Sequence, residues 1–321
     1  MKYYFAPMEG LTDSVYRLAH SQTFGGVDRY YTPFFSPTEV HRLTPREARE
    51  LAQGNNPPNT IPQLLCKNAD DFLWMAEQIA DLGYTEVNLN LGCPSGTVTA
   101  KKKGAGMLAD TDALDAFLER VFARCPIEIS IKTRIGYQDT DELPNILEIY
   151  NQYPIRELTV HPRTGKEMYR GTPHLDAYEY VTKYTNIPLC YNGNVCTRAD
   201  AAYIEETFPT TQAIMIGRGL LANPALLSQT PVTRSLMCEF HEELVARYSK
   251  VLGSEHAVTG RMKEIWLLMS GIFAADKKHI KRLQQSKTLP ELQNTVMALI
   301  CEAPIRRASE FDRRSDALCN I

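Results

Sequence analysis

The sequence predicts a (β/α)₈ TIM barrel followed by a small C-terminal helical domain. Short apolar runs recur along the first two-thirds of the chain, helical patterns fill most intervals between them, and the runs stop beyond Asn223-Pro224. Eight strands alternating with helices over about 230 residues fit this barrel. A doubly wound open sheet is the alternative, but no Gly-x-Gly-x-x-Gly motif follows the first run, which disfavours it.

Eight apolar, β-branched runs are the predicted strands. In chain order they are Tyr3–Ala6, Arg29–Thr32, Ile61–Leu65, Glu86–Leu89, Ile127–Lys132, Glu157–Val160, Pro188–Tyr191 and Ala213–Ile216. The clearest intervening helix is Asp71–Leu82, whose apolar residues share one stripe. Asn68 and Asp71 stand at capping-box spacing before it, and Gly83 follows its last turn.

The last part of the chain carries helical patterns only. The predicted helices are Cys238–Leu252, Gly260–Ala275 and Leu289–Cys301, the last with Pro290 at its first position. We therefore predict two domains, a catalytic barrel over residues 1–234 and a helical domain over residues 235–321.

The composition predicts a globular protein without a membrane span or a metal site. Apolar residues make up 44% of the 321 residues, yet no apolar run reaches the ~18 residues of a membrane span. The amino terminus enters a predicted strand without a signal-peptide region, so we expect a cytoplasmic protein. Eight dispersed cysteines without a Cys-x-x-Cys pair, and seven scattered histidines, argue against disulfides and metal.

Charge is distributed unevenly along the chain. Residues 231–321 hold 14 Lys and Arg against 11 Asp and Glu, a net charge of +3, whereas the remainder carries −6. A basic tail beside an acidic body is compatible with an RNA partner, although basic runs are usually solvated faces. The tail's basic clusters are Lys277-Lys278 with Lys281-Arg282, and Arg306-Arg307 with Arg313-Arg314.

The stretch Glu86–Ser95 is the most informative part of the sequence. It is an alternating strand that stops at Gly92-Cys93-Pro94, because glycine frees the backbone and proline removes a donor. A thiol therefore lies on a loop at the carboxyl end of a strand, where barrels carry their catalytic groups. Cys93 is the first candidate for a chemical role.

Polar residues also follow the other predicted strands. After the last two strands stand Asn192-Gly193-Asn194 and Gly217-Arg218, where glycine N–H groups and an arginine suit a phosphate. Lys132 ends the fifth strand and points into the predicted barrel mouth. It is a Schiff-base lysine, a cation beside an electron-rich cofactor ring or a member of a structural ion pair, and the residues alone do not rank the first two.

Motifs at these strand ends resemble those of the tRNA-dihydrouridine synthase family, flavin enzymes that reduce uridines in tRNA. They occur in the family's order over residues 3–223. The motifs are Ala6-Pro7-Met8, Gln63-Leu64, Asn90-Leu91-Gly92-Cys93-Pro94-Ser95, Gly104-Ala105-Gly106-Met107-Leu108, Lys132-Thr133-Arg134-Ile135-Gly136, His161-Pro162-Arg163-Thr164, Tyr169-Arg170-Gly171, Asn192-Gly193-Asn194 and Met215-Ile216-Gly217-Arg218-Gly219.

The resemblance implies FMN as the cofactor, NADPH or NADH as the reductant and tRNA as the partner of a monomeric enzyme. It assigns residues to three parts of the cofactor. Pro7 and Met8 would lie against the flavin ring, Gln63 and Lys132 would hydrogen-bond its polar edge, and Asn192, Gly193, Asn194, Gly217 and Arg218 would hold the phosphate. Glu9 and His161 would also contact the cofactor.

The resemblance also implies a mechanism. Hydride would reach C6 of a uracil from the flavin, while Cys93 donates a proton to C5. Asn90, Arg134 and Tyr169 would bind the substrate. The rival functions are a flavin-dependent reductase of a small pyrimidine or enone, which has no use for a basic helical tail, and a non-catalytic RNA-binding role, which would not need Cys93.

Overall fold

Nine parallel strands form the centre of the structure, a computed structural model that describes residues 1–229 and 232–306. Each is short and most are fully buried, as parallel strands covered by helices must be. They are β1 Lys2–Phe5, β2 Arg29–Tyr31, β3 Thr60–Ile61, β4 Gln63–Leu64, β5 Glu86–Leu91, β6 Glu128–Arg134, β7 Leu158–His161, β8 Leu189–Tyr191 and β9 Ala213–Ile216.

Pro62 splits one barrel strand into two. The order of the sheet is β3-β2-β1-β9-β8-β7-β6-β5-β4, so its two edges, β3 and β4, are consecutive in the chain. Proline has no N–H to donate to the ladder, but the Pro62 carbonyl still accepts from the Asn88 N–H at 2.8 Å. The edges therefore meet, and the predicted eight-strand barrel is confirmed, with its third strand broken.

Helices follow the strands and surround the barrel. Within the described residues they are α1 Ser14–Thr23, α2 Pro45–Leu51, α3 Ala69–Asp81, α4 Gly96–Thr99, α5 Thr111–Arg124, α6 Leu143–Tyr150, α7 Leu175–Tyr184, α8 Arg198–Thr207, α9 Arg218–Ala222, α10 Arg234–Val251, α11 Glu255–Met269, α12 Lys277–Gln285 and α13 Leu289–Glu302. Short 3₁₀ turns also occur, one of them Gly104–Ala109. None of the helices in this part of the chain is long and apolar enough to cross a membrane.

Helix α3 begins two residues before its predicted start. The Asn68 side chain caps it by accepting from the N–H groups of Asp70 and Asp71 at 2.8 and 3.2 Å. The predicted capping box is wrong, because the Asp71 carboxylate lies 3.0 Å from the imidazole of His41 instead. Gly83, with φ of +88°, follows the helix as expected.

The tail contains four described helices, one more than the sequence predicted. Helix α12 was missed because its residues are almost all polar, with Leu283 as its buried anchor. Helix α11 ends at Met269 rather than at Ala275, and a 3₁₀ turn follows it. Arg307, Arg313 and Arg314 lie outside the described residues.

Helix α10 packs on the barrel's first helix. The rings of Tyr16 and Phe240 make an edge-to-face contact at 5.8 Å, and the Tyr248 hydroxyl donates to the Asp13 carboxylate at 2.9 Å. The helical tail is therefore present and lies against the barrel. The division at residues 234 and 235 stays a prediction.

Candidate active site

A cavity of about 540 Å³ opens at the carboxyl ends of the barrel strands. Every site residue proposed from the sequence lines it, although lining a cavity does not test the role assigned to each. They are Cys93; Pro7, Met8, Glu9, Gln63, Lys132, His161, Asn192, Gly193, Asn194, Gly217 and Arg218; and Asn90, Arg134 and Tyr169.

The loop that carries Cys93 is held by Asn90. The side-chain oxygen of Asn90 accepts from the backbone N–H groups of Gly92 and Cys93 at 3.0 and 2.9 Å. On the other side of the loop, the Cys93 carbonyl accepts from the Ala105 N–H at 3.0 Å. The loop is thus fixed from β5 and from the 3₁₀ turn, so the thiol has a defined position.

Gly104 lies too close to this loop for any other residue. A Cβ atom there would stand 2.8 Å from the Cys93 carbonyl oxygen and 3.1 Å from the Cys93 Cβ. Its φ of +57° is also one that glycine adopts readily. The Gly-Ala-Gly motif therefore supports the position of Cys93.

The Cys93 side chain is a protonated thiol rather than a thiolate. Burial raises its pKa, and the Ser95 backbone together with the charges of Arg134 and Lys132 offsets only part of that rise. The protonated form therefore predominates at neutral pH. A protonated thiol suits general-acid chemistry, because an acid must hold its proton before the reaction begins.

A chain of side-chain amides crosses the barrel interior below the cavity. Asn90 Nδ2 donates to Gln63 Oε1 at 2.7 Å, and Gln63 Nε2 donates to Asn88 Oδ1 at 2.7 Å. Asn88 Nδ2 continues to the Ser130 hydroxyl at 2.9 Å. These bonds fix the orientation of each amide. Gln63 and Asn90 retain one N–H each that this chain does not use.

Lys132 is a half-buried ammonium without a carboxylate partner in the described part of the chain. Burial is the main reason that its pKa falls to about 8, and the charge of Arg134 adds to the effect. The side chain faces the cavity, since β6 pairs with β5 so that Lys132 lies beside Asn90. An unpaired cation here is suited to an electron-rich or anionic ligand.

Arg134 joins two loops at the cavity wall. Its Nε donates to the Gly92 carbonyl at 2.8 Å, and its Nη1 donates to the carbonyls of Thr164 and Met168 at 2.8 and 2.7 Å. Among the described residues, its Nη2 has no hydrogen-bond partner. Arg134 therefore positions the loops and keeps donors for a ligand.

Tyr169 stands at the mouth of the cavity with 42% of its surface exposed. The guanidinium carbons of Arg134 and Arg218 lie 5.5 and 5.3 Å from the centre of its ring. Both distances are within the range of cation–π contacts. The ring is thus held by two arginines and presents an aromatic surface at the mouth.

His161 is neutral, and its tautomer is fixed by Arg163. Burial lowers the pKa of His161 far below its usual value, and four surrounding cations act in the same direction. Arg163 Nη1 donates to His161 Nε2 at 2.9 Å. Since a guanidinium is never an acceptor, the imidazole proton lies on Nδ1. His161 can therefore donate one hydrogen bond through Nδ1.

Arg163 is a positioning residue whose role was not predicted from the sequence. It is fully buried, and its other donors bond the carbonyls of Arg170 and Gly171 and the Asn194 side chain at 3.1, 2.6 and 3.2 Å. It thereby connects His161, the loop of Tyr169 and the loop after β8. The sequence signal that could have indicated this role is the position of Arg163, two residues after His161.

Side-chain hydrogen bonds join the ends of β8 and β9. Asn194 Oδ1 accepts from Arg218 Nη2 at 3.1 Å, and Asn192 Nδ2 donates to the Met215 carbonyl at 2.7 Å. A Cβ on Gly217 would stand 3.1 Å from the Met8 sulfur. The end of β9 therefore packs closely against the loop after β1, and a side chain at position 217 would crowd Met8.

Glu9 lies at the rim of the cavity. Its carboxylate is 3.7 Å from the Arg46 guanidinium, and both side chains are at least half exposed. Burial raises the pKa of Glu9, while Arg46 lowers it. Glu9 is the one acidic side chain in the lining of the cavity as described, so cations prevail in its interior.

A family model described as dihydrouridine synthase matches residues 4–300. A tRNA-dihydrouridine(16) synthase of Pseudomonas syringae pv. tomato is 30% identical over 239 residues, which cover 71% of this chain and 74% of that protein. A probable tRNA-dihydrouridine synthase of Staphylococcus epidermidis is 27% identical over 261 residues, covering 76% and 78%.

Two solved structures have the same barrel. An old yellow enzyme homologue from Zymomonas mobilis has a TM-score of 0.51 at 11% identity, covering 70% of this chain and 86% of that chain. Morphinone reductase has a TM-score of 0.50 at 11% identity, covering 70% and 84%. At this identity the likeness concerns the fold alone.

Proposed function

Since the chain belongs to the dihydrouridine synthase family, an enzyme family, we propose that it reduces the C5–C6 double bond of specific uridines in tRNA, with FMN as cofactor and NADPH as reductant. One observation carries the proposal. A protonated thiol, Cys93, and an unpaired ammonium, Lys132, line the same cavity at the mouth of the barrel.

The donors around the cavity fit a flavin nucleotide. Lys132 and the spare N–H of Gln63 suit the polar edge of the ring, where negative charge accumulates on reduction. His161 supplies one further donor through Nδ1. Asn192, Gly193, Asn194, Gly217 and Arg218 suit the phosphate, and Pro7 and Met8 supply an apolar surface for the ring. FMN held by these residues would supply the hydride chemistry for C6 of the uracil, with NADPH as the source of the electrons.

The chain's own residues supply the rest of the reaction. Cys93 gives its proton to C5, and the thiolate that remains regains a proton from water before the next cycle. Arg134 Nη2 and the spare N–H of Asn90 bind the uracil carbonyls, where charge builds as hydride arrives. Tyr169 offers an aromatic face to the base. Because these groups are held by neighbouring loops, they need little rearrangement when the substrate binds.

The target uridine must leave the folded tRNA to reach Cys93, as base-modifying enzymes require. The exposed basic side chains of α12 are suited to the tRNA backbone. We further expect a monomeric protein in the cytoplasm. Light scattering of the purified protein checks the first expectation.

The function is tested with purified protein, NADPH and unmodified tRNA. We expect a yellow protein, and mass spectrometry of the digested tRNA should find dihydrouridine. Reduction of free uracil or an enone with no product on tRNA would favour the small-molecule reductase instead. A colourless protein that forms a borohydride-trapped adduct at Lys132 would favour the Schiff-base interpretation.

The variant Cys93→Ala tests whether Cys93 is the general acid of the reaction. We expect bound FMN and NADPH oxidation to persist, because hydride transfer to the flavin needs no protein acid. Formation of dihydrouridine should fall by ~10² or more, the usual contribution of a positioned general acid. Cys125→Ala is the control, since Cys125 is a half-buried thiol outside the cavity. Equal turnover of the two variants would mean that Cys93 is not the general acid and has a structural role.

A further inference from the structure

A second, smaller pocket adjoins the main cavity. Its volume is about 180 Å³, and its wall is shared with the cavity at Glu9, Pro33 and Phe34. The rest of its lining includes Arg46 of α2 and Arg261 of α11. The pocket therefore lies where the barrel mouth meets the helical tail. Its volume is smaller than the ~300 Å³ of the smallest sites for drug-sized ligands.

The walls of this side pocket combine three kinds of chemistry. Phe34 and Pro33 provide an apolar surface, and four acidic residues provide carboxylates, namely Glu9, Asp13, Glu47 and Glu50. Arg261 adds a cation whose Nε is buried and, within residues 1–229 and 232–306, has no hydrogen-bond partner. The nearest carboxylate oxygen to that Nε belongs to Asp13, at 4.0 Å. The pocket thus has an unsatisfied donor as well as an aromatic face.

Glu9 is the one exposed carboxylate in the lining of this pocket as described. Asp13 Oδ1 accepts from the Tyr16 N–H and the Tyr248 hydroxyl, and Asp13 Oδ2 faces Arg261 Nε at 4.0 Å. Glu50 accepts from the Ser14 N–H at 2.7 Å and from its hydroxyl at 3.0 Å. Among the residues that the structure describes, the Glu9 carboxylate has one polar contact, with Arg46 at 3.7 Å, which is longer than a hydrogen bond.

We propose that the side pocket binds the nucleotide next to the target uridine, with its base on Phe34, a base N–H on Glu9 and its phosphate near Arg46 and Arg261. RNA-binding proteins read single-stranded bases by this combination of stacking and edge contacts. The inference rests on the proposed reduction of tRNA uridines. A uridine flipped into the main cavity brings its covalent neighbour to the shared wall, which accounts for the position of the pocket.

The first test combines a protein variant with an altered RNA. Phe34→Leu keeps an apolar side chain and removes the aromatic face. We expect KM for tRNA to rise about tenfold, at the low end of a base–aromatic stack, while flavin content and NADPH oxidation stay unchanged. An abasic nucleotide beside the target should raise KM similarly for the parent but should add little for the variant.

The second test uses two arginines of the same region. Arg46 lines the pocket, whereas Arg42 is exposed on the preceding loop and, among the described residues, has no ion pair. Arg46→Ala and Arg42→Ala change the net charge equally, so general attraction to RNA falls equally. We expect KM for tRNA to rise several-fold more in Arg46→Ala.

Two results would overturn the inference. One is an abasic effect of the same size in parent and Phe34→Leu, and the other is equal KM values for the two arginine variants. Either result leaves dihydrouridine formation by the parent intact. If the parent itself formed no dihydrouridine, the proposed function would fail instead, so the two failures are distinguishable.

Discussion

Lys132 carries a charge that the folded chain alone disfavours. Burial, with the help of Arg134, lowers its pKa from 10.5 to about 8. The folded state therefore binds its proton less tightly than the unfolded state does. The destabilisation is complete below about pH 8 and is lost as the pH rises towards the unfolded value. A ligand that accepts the charge would remove this cost.

We predict that Lys132→Met stabilises the flavin-free protein. At pH 7 the gain should be up to ~3 kcal/mol, which is the energy of the pKa difference at ~1.4 kcal/mol per unit. The gain should shrink between pH 8 and 10.5. Urea unfolding of parent and variant at a series of pH values measures it, and FMN affinity should fall in the same variant.

Lys101→Met is the control for that experiment, because Lys101 is exposed on the loop after α4. Its stability should match the parent at every pH. A difference between Lys132→Met and the parent that did not depend on pH would mean that Lys132 is paired in the folded protein.

At the scale of single residues, the sequence predicted the types of the site residues but not their partners. The positions of Lys132, His161 and Cys93 were predicted from the carboxyl ends of strands, because a parallel barrel places all of these ends on one face. The role of Arg163 was missed, since its hydrogen bonds reach separate segments of the chain, including the loop of Gly171 and the loop of Asn194. Alternation along a strand says which face a side chain occupies, and it does not say which loop will fold over it.

At the scale of elements, the 3₁₀ turn Gly104–Ala109 sets the position of the Cys93 loop. We predict that Gly104→Ala displaces this loop, because its Cβ would lie 2.8 Å from the Cys93 carbonyl and φ is +57°. Dihydrouridine formation should fall at least ~10-fold, the scale of a misplaced acid. Bound flavin should persist, which absorbance at the flavin bands checks.

Gly96→Ala is the matched control in the same region. A Cβ at Gly96 meets no atom within 4 Å, and its φ is not positive. This variant should keep the parent's turnover. Equal losses in both variants would mean that the whole segment, rather than its contact with Cys93, limits the reaction.

The elements of the barrel were predictable because each strand is short, apolar and bounded by breakers. The break at Pro62 was not predicted, since one proline inside an apolar run still permits pairing on both sides. Helix α12 was also missed. It has too few apolar residues for a stripe, and it forms because Asp276 caps it and Leu283 packs into the tail.

At the scale of the whole molecule, helix α12 presents a row of exposed basic side chains in the helical tail. Lys277, Lys278, Lys281 and Arg282 are exposed on α12, and none forms a salt bridge with another described residue. We predict that replacing all four by alanine weakens tRNA binding and reduces the salt slope by up to ~4 phosphate contacts. Filter binding at several salt concentrations measures the slope.

Flavin content and NADPH oxidation are the controls for this variant, and both should match the parent because the cavity lies in the barrel. A solvated face that never meets RNA predicts identical slopes for variant and parent, and that result would remove α12 from the interface.

The protonation state of Cys93 also determines how fast its thiol reacts with alkylating agents and oxidants. Alkylating agents and peroxides attack the thiolate form of cysteine, so a raised pKa makes the side chain slow to react with them. The burial that keeps Cys93 protonated therefore also slows its oxidation and alkylation at neutral pH. Its vulnerability should begin only in alkaline solution.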